Sequence, residues 1–465
     1  MASSEPNEPK EPKESKEPKE PTASKTKTKH TKPKSAINKA PRAKGAGECA
    51  GEGSAAPVFD LTSGPDEARE FFEVNGFVVV RVLGQQKCEE LICEQWHRII
   101  LEQPWNAKSS KSSLQATSSL LSQEEPARYV TGPLDAKTRK EFETKWPLHR
   151  GFGACCDPCV FHLPGVWDIR QDPRLYELAS KLTGTEDLWV DINRSIQKLP
   201  GQGEDEFLHW DMNPFLAARS AESAESAESA SVCGKVCYTK SRFVCVPRTH
   251  TREFHESFVA AYAEYYPNVR ESDPKFGLDA TKPDPFGLGA RKLVIGIEPG
   301  CGIFWDARLL HGQVKTPLGD PVEYGCYVGY FQAGSRPEYA RACGVDELED
   351  RLASYAHGRA PKLWPSFDPI QFYPKRFRNF PKLLQAYIDK MPSDHPSIGT
   401  RVTKGGKTVP HLGPWPVDPE YTPPPLTELG RKLLGGGASL DEDRWLLRGG
   451  DEPTSGPKRV ECAKG

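Results

Sequence analysis

Between residues 77 and 332 the chain is a succession of short β-branched and aromatic runs cut by glycine and proline, a pattern that leaves few folds open. The first run is Phe77-Val78-Val79-Val80-Arg81-Val82-Leu83, broken by Gly84 and Gln85. Valine, isoleucine and aromatic residues suit a pleated, half-buried surface, and glycine or proline ends it. A second β region begins at Asp187. In it Leu188, Val190, Ile192 and Ile196 alternate on one face together with Arg194 and Lys198. Further runs follow at 242–246, 292–297, 302–311 and 324–332. Many short strands with such turns predict a mainly β fold with flanking helices, a sandwich or jelly-roll barrel. Cys88, Ile92, Trp96, Ile99 and Ile100 recur at helical spacing and predict a helix to about Glu102; Phe254, Phe258, Ala261, Tyr262 and Tyr265 mark another.

That β region occupies only part of 465 residues. Apolar residues are 37% of the chain and 43 prolines accompany 40 glycines, so long stretches have too little to bury to fold. Residues 1–57 open with Lys-Glu-Pro repeats and are expected to be a disordered tail. The folded domain is expected over 58–335, with a flexible insert at about 216–241 that contains the Ser-Ala-Glu repeat. Residues 336–430 read as a helical or irregular extension, with helices near 337–356 and 376–391, and 431–465 as a disordered, glycine-rich tail. Within the N-terminal tail, residues 25–44 carry eight lysines and arginines and no acidic residue. Such a run can be a nuclear address, a loose nucleic-acid or protein contact, or a solvated tail without a partner. The net charge of −2 gives no global pull toward nucleic acid or membrane. No apolar run reaches the length of a membrane span, and the first residues lack the apolar core of a signal peptide. With 13 cysteines, free thiols in a reducing compartment are the simpler expectation, which places the protein in the cytoplasm with the nucleus open.

The chemistry-bearing residues sit inside the β region. His209 and Asp211 form an H-x-D pair in Phe207-Leu208-His209-Trp210-Asp211, and His311 closes the run Trp305-Asp306-Ala307-Arg308-Leu309-Leu310-His311. Side chains two apart on an extended segment project to the same side, so His209 and Asp211 can act together. On the later run Ile303, Trp305, Ala307, Leu309 and His311 share parity, an apolar stripe that ends in a histidine. Two imidazoles and a carboxylate can hold one face of a metal and leave the other open, the ligand set of non-haem Fe(II) oxygenases. An H-x-D pair alone is a weak signal in a chain with 11 histidines. Other clusters are less ordered. Cys155, Cys156, Cys159 and His162, with Cys233 and Cys237, could make a zinc site, although buried free thiols explain them as well. His250 and His255 read as supporting or structural residues, and Asp306 as a surface or loop-bracing one.

Five segments in order carry a family likeness: Asn75-Gly76-Phe77-Val78-Val79-Val80 with its following helix; the strand from Ile192 to Pro200; the His209/Asp211 pair; Cys245-Val246-Pro247-Arg248-Thr249-His250, similar to a Pro-Gly-Ser-His turn; and Glu298-Pro299-Gly300-Cys301-Gly302 running on to His311-Gly312. Over roughly residues 70–333 the chain resembles the phytanoyl-CoA dioxygenase-like family of Fe(II)/2-oxoglutarate oxygenases. The resemblance implies a double-stranded β-helix (cupin-like) core and His209, Asp211 and His311 as metal ligands and catalytic centre. It also implies Fe(II) as cofactor, and 2-oxoglutarate and O₂ as cosubstrates for the hydroxylation of a small-molecule substrate. The chain departs from the family at one point: the strand after His311 lacks the arginine that grips the far carboxylate of 2-oxoglutarate. Tyr324 falls near its place. Lys198 is the first substitute and Arg194 the second, with Lys315 open and Arg308 turned away by parity. Two alternatives stand beside this reading: an inactive oxygenase fold kept as an interaction scaffold, and an iron oxygenase that does not use 2-oxoglutarate.

Overall fold

The computed structural model describes residues 56–62, 64–96, 135–138, 140, 161–201, 208–215, 231–266, 276–335, 346–358, 361, 398–402, 408–412 and 421–436. Residues 1–55 and 437–465 of the expected tails, the basic run, the Ser-Ala-Glu repeat, the 376–391 helix and Cys155, Cys156 and Cys159 lie outside these residues; the first residues of the tail expected from 431 are instead the end of a helix, Glu428–Leu434, with Leu433 and Leu434 buried. The strands are β1 (Val58–Asp60), β2 (Phe77–Arg81), β3 (Leu188–Val190), β4 (Ser195–Lys198), β5 (Leu208–Trp210), β6 (Ser231–Cys237), β7 (Ser241–Cys245), β8 (Phe276–Gly277), β9 (Leu293–Ile297), β10 (Cys301–Asp306), β11 (His311–Gly312), β12 (Glu323–Tyr327), β13 (Tyr330–Gln332), β14 (Ile398–Val402) and β15 (Thr408–Leu412). The helices are α1 (Pro65–Asn75), α2 (Gln85–Trp96), α3 (Pro164–Arg170), α4 (Pro173–Thr183), α5 (Arg252–Tyr262), α6 (Glu347–Ala356) and α7 (Glu428–Leu434). The chain is therefore mainly β with flanking helices, as the strand pattern predicts.

Two sheets carry the fold. The larger runs β1-β2-β10-β6-β12-β4, with β13 and β3 continuing from β6; the smaller runs β8-β5-β11-β7-β9, and β14 and β15 form a separate hairpin. Side-chain alternation gives each sheet two apolar faces, and three clusters fill them. Phe77, Val79, Ile303 and Trp305 of the larger sheet pack on Phe243, Cys245, Ile295 and Ile297 of the smaller, which closes the two sheets face to face. The opposite face of the larger sheet, with Val78, Val80, Phe304, Tyr324 and Tyr330, is covered by α1 to α4, α6 and α7. The outer face of the smaller sheet packs on α5 through Trp210, Phe258, Tyr262 and Phe276. Each fully buried side chain of this size contributes about 1.5–3 kcal/mol, so the three apolar layers, rather than the helices' own propensity, hold the sheets in place.

Helix ends follow their local chemistry. Asp172 caps α4 through the backbone N–H of Arg174, Thr251 caps α5 through Phe254 and Asp346 caps α6 through Glu349. The cap at Asp346 starts α6 at Glu347, so within the helix read at 337–356 the described helical residues are 347–356. Buried Arg351 on α6 donates to the carbonyl oxygens of Leu433 and Leu434 at the end of α7 and of Val190 on β3, and its guanidinium lies over the rings of Trp189 and Phe331. One side chain thereby ties the extension to the larger sheet.

Three segments depart from the sequence reading. The insert expected over 216–241 reaches no further than residue 230, because 231–237 is β6, a central strand paired with β10 and β12. The run 188–198 is two strands, broken where the Asn193 side chain bonds Asp191 and the Arg194 backbone. The run 302–311 is also two strands in different sheets. A turn at 307–310, in which Leu309 N–H donates to Asp306 oxygen, carries the chain from β10 to β11.

Candidate metal centre

β5 and β11 are antiparallel neighbours in the smaller sheet, and their register sets His209 directly opposite His311. Their rings lie 4.5 Å apart between centroids. Asp211 follows one residue past the end of β5 and turns back toward both. Its Oδ1 is 3.8 Å from His209 Nε2 and its Oδ2 is 3.4 Å from His311 Nε2. One ligand atom from each of the three lies within 4.8 Å of the others, and among the described residues this is the group of three or more histidine, cysteine or carboxylate side chains so arranged. His311 is buried at 5% side-chain exposure, while His209 and Asp211, at 22% and 17%, open toward solvent. The proximity that joins residues 100 apart in sequence comes from strand pairing, not from the shared parity of 303–311: β10 ends before the turn, and His311 belongs to the other sheet.

The donors are held by specific neighbours. His311 Nδ1 lies 2.9 Å from the Leu309 carbonyl oxygen, so its N–H points there and Nε2 keeps its lone pair on the Asp211 side. A metal-ligating histidine is oriented in this way. Phe243 on β7 stacks on the His311 ring at 5.6 Å, and Trp305 on β10 lies 5.0 Å away and donates Nε1–H to Asp211 Oδ2 at 3.4 Å. The turn leading into β11 is braced from three sides. Fully buried Thr249 accepts from Leu310 N–H at 2.9 Å and donates to the Val246 carbonyl oxygen at 2.8 Å; His255 Nε2 donates to the Arg308 carbonyl oxygen at 2.9 Å; Arg308 pairs with Asp306. Asp306 is a loop-bracing residue, but a buried one. His250 donates to the Glu73 carbonyl oxygen and ties the segment after β7, which carries Thr249, to α1. Burial lowers the pKa of both His250 and His255, which favours the neutral forms that these bonds use. Two imidazole nitrogens, that of His311 with its tautomer fixed, and one carboxylate, with one side open, fit a divalent transition metal.

Beyond the triad the floor between the sheets carries charge. On β4, β12 and β6 the pairings Lys198↔Glu323 and Tyr327↔Lys235 set which side chains share the inner face. Lys198 is there, almost fully buried and donating to the Val314 carbonyl oxygen at 2.6 Å, whereas Leu188, Val190 and Ile192, read on the same face, pack under the helices because the strand is broken between them. No carboxylate lies within ion-pair distance of it among the described residues. Burial lowers its pKa, and Glu323 nearby works in the other direction. Arg194 is on the same face, stacked over the Tyr327 ring at 5.0 Å. Tyr324 is on the opposite face: it pairs with Gln197, accepts a hydrogen bond from that side chain, and is buried under the helices. Alternation on β12 gives the inner place to Glu323 and Gly325. Arg308 is engaged with Asp306 and Lys315 is exposed.

The sequence reading missed Trp305 and Phe243 as partners of the triad, and Lys235, Ser241 and Glu323 altogether. Lys235 was hidden because the low-complexity repeat before it extended the apparent loop over β6. The signal that could have found it is the alternation of Val232, Gly234 and Val236 against Cys233, Lys235 and Cys237. Burial pushes the Cys237 thiol up to about 12, so it stays protonated in a strand wall rather than in a zinc loop.

No protein-family model and no curated protein matches the chain. Among solved structures it is similar to EvdO2 from Micromonospora carbonacea var. aurantiaca, at 14% identity over 58% of this chain and 91% of that one, with a TM-score of 0.31. It is also similar to EctD from S. alaskensis, at 13% identity over 59% and 80%, with a TM-score of 0.32. A third is the epimerase SnoN in complex with Fe³⁺, α-ketoglutarate and a nogalamycin compound, at 14% identity over 58% and 85%, with a TM-score of 0.29. Likeness at this level bears on neither reaction nor substrate.

Proposed function

We propose that this chain is an Fe(II)- and 2-oxoglutarate-dependent oxygenase of the phytanoyl-CoA dioxygenase-like kind, built on a double-stranded β-helix core, that hydroxylates a small-molecule substrate. The observation that carries the proposal is the convergence of His209, Asp211 and His311 from paired strands with an open side. These three would hold the iron, which when bound supplies O₂-dependent oxidation coupled to decarboxylation of 2-oxoglutarate. Every other task falls to the protein. The Leu309 carbonyl fixes the His311 tautomer, Trp305 holds Asp211 in place, and Phe243 and Trp305 wall the His311 side off from water. Lys198, a buried ammonium that donates to the Val314 carbonyl and has no carboxylate within ion-pair distance among the described residues, would take the far carboxylate of the cosubstrate. Arg194, stacked on Tyr327 and less buried, would face the substrate side. The buried face of Tyr324 removes it from this list.

Anaerobic loading with Fe(II) followed by titration with 2-oxoglutarate tests the proposal. A metal-to-cosubstrate charge-transfer band that is absent in His209→Ala is the expected result, with Lys198→Met weakening 2-oxoglutarate but leaving Fe(II) affinity intact. Iron binding without the band would assign the chain to oxygenases that do not use 2-oxoglutarate, and no iron binding would leave the barrel as an interaction scaffold.

A further inference from the structure

Lys235 and Glu323 form an ion pair in the middle of the larger sheet, both at 2% side-chain exposure. Lys235 also donates to Ser241 Oγ at 2.6 Å, and Thr316 Oγ1 donates to the second Glu323 oxygen at 3.4 Å. Burial opposes the charge on each, and each partner's field outweighs it, so Lys235 stays cationic and Glu323 anionic. Their place relative to the triad follows from register. Lys235 lies opposite Ile303 while Cys233 lies opposite Trp305, so Lys235 is two residues, about 7 Å, along the inner face from the tryptophan that touches Asp211 and His311. Ser241 is likewise two residues along β7 from Phe243, which stacks on His311. Both walls therefore put the Lys235–Glu323–Ser241 group one row of side chains beyond the metal ligands. Lys198 reaches the same group from β4, beside Glu323. Arg242 nearby is paired with Asp320. Among the described residues, the remaining fully buried charges of this group are two ammonium groups and one carboxylate, a surplus of one positive charge.

A 2-oxo dicarboxylate held at the triad would have this floor within reach of its second carboxylate. Resting on the function proposed above, we propose that Glu323 is a specificity-determining residue for the cosubstrate: it supplies from within the chain the carboxylate that saturates Lys235, and leaves Lys198, of the two lysines in this group, as the cation for an incoming carboxylate. The chain has in this way replaced a single gripping cation by two lysines and an internal counter-ion. The site admits one further negative charge and is graded against more. Glu323 competes with the cosubstrate for the cations and repels its carboxylate at close range.

The test separates this idea from the metal chemistry. Glutarate, which lacks the 2-oxo group, is titrated into metal-free wild type and Glu323→Gln by calorimetry. The glutamine keeps the hydrogen-bonding shape and removes one like charge a few ångström from the ligand, so binding should tighten by roughly tenfold or more. 2-Oxobutyrate, which has no second carboxylate, should bind the iron-loaded forms of both proteins equally. Unchanged or weaker glutarate binding in Glu323→Gln would overturn the proposal and make Glu323 a mere support for Lys235. Should that variant fail to fold with Lys235 left unpaired, the double variant Lys235→Met/Glu323→Leu decides. It removes the pair as a unit, preserves the surplus charge on Lys198, and should hold glutarate as wild type does. Loss of glutarate in the double variant would make Lys235 the anchor and also overturn the proposal. Absence of the iron–2-oxoglutarate band in wild type would sink the oxygenase reading while leaving the glutarate comparison to stand by itself.

Discussion

Thr249 offers a direct test of how the fold delivers His311. Its hydroxyl is fully buried and bonds two backbone groups, Leu310 N–H and the Val246 carbonyl oxygen. Thr249→Val keeps the shape and deletes both bonds. A net hydrogen bond is worth about 1 kcal/mol, and a buried N–H left without its partner costs a further 1–3 kcal/mol, so the variant should lose about 2–4 kcal/mol. That is a large share of the roughly 5–15 kcal/mol of an ordinary domain and is readable as a shift in the urea midpoint at unchanged slope. Because Leu310 immediately precedes the ligand, Mn(II) affinity measured by calorimetry should fall by about 10–100-fold, the usual effect of losing an outer support of a metal ligand. Thr249→Ser keeps the hydroxyl and loses a methyl group, at about 1 kcal/mol, and should bind Mn(II) as wild type does. If valine is tolerated within about 0.5 kcal/mol, or if serine loses as much metal affinity as valine, the hydroxyl does not brace the ligand and the reasoning fails.

Arg248 is exposed and has a left-handed backbone, φ 67°, in the turn where the resembled motif carries glycine; Arg248→Gly should raise stability by about 0.5–1 kcal/mol in chemical denaturation, and a loss would show that the backbone there is not strained. His255 has its pKa lowered by burial. As pH falls below the ordinary histidine value of about 6.5 the unfolded chain therefore takes up a proton that the folded chain refuses, and stability declines until the lowered folded pKa is passed. Urea midpoints between pH 7.5 and 5 should fall less steeply in His255→Gln, and identical slopes would refute that assignment. Arg351→Met leaves the carbonyls of Val190, Leu433 and Leu434 without their shared cation; a loss of at least about 3 kcal/mol is expected, with faster proteolytic release of α7, and undiminished protection would show that α7 is held by its apolar face alone.

What the sequence determined by itself is the class of fold and the identity of the donor residues. Strand-forming runs bounded by glycine and proline are local facts, and so is the two-residue spacing that lets His209 and Asp211 act together, because side-chain alternation is a property of any extended segment. Parity failed wherever it was carried across a break. The stripe from Ile303 to His311 crosses a turn into another sheet, and Tyr324 sits one residue from the inward place that Glu323 takes. Pairing register decides such matters, and register depends on contacts between strands far apart in the chain. Tertiary structure alone set His209 against His311, placed Phe243 and Trp305 around them, and turned a lysine beside a low-complexity repeat into the cation at the centre of the floor. The physical reason is the same in each case: which face is inward is fixed by what the opposite sheet covers, and a single strand carries no record of its partner.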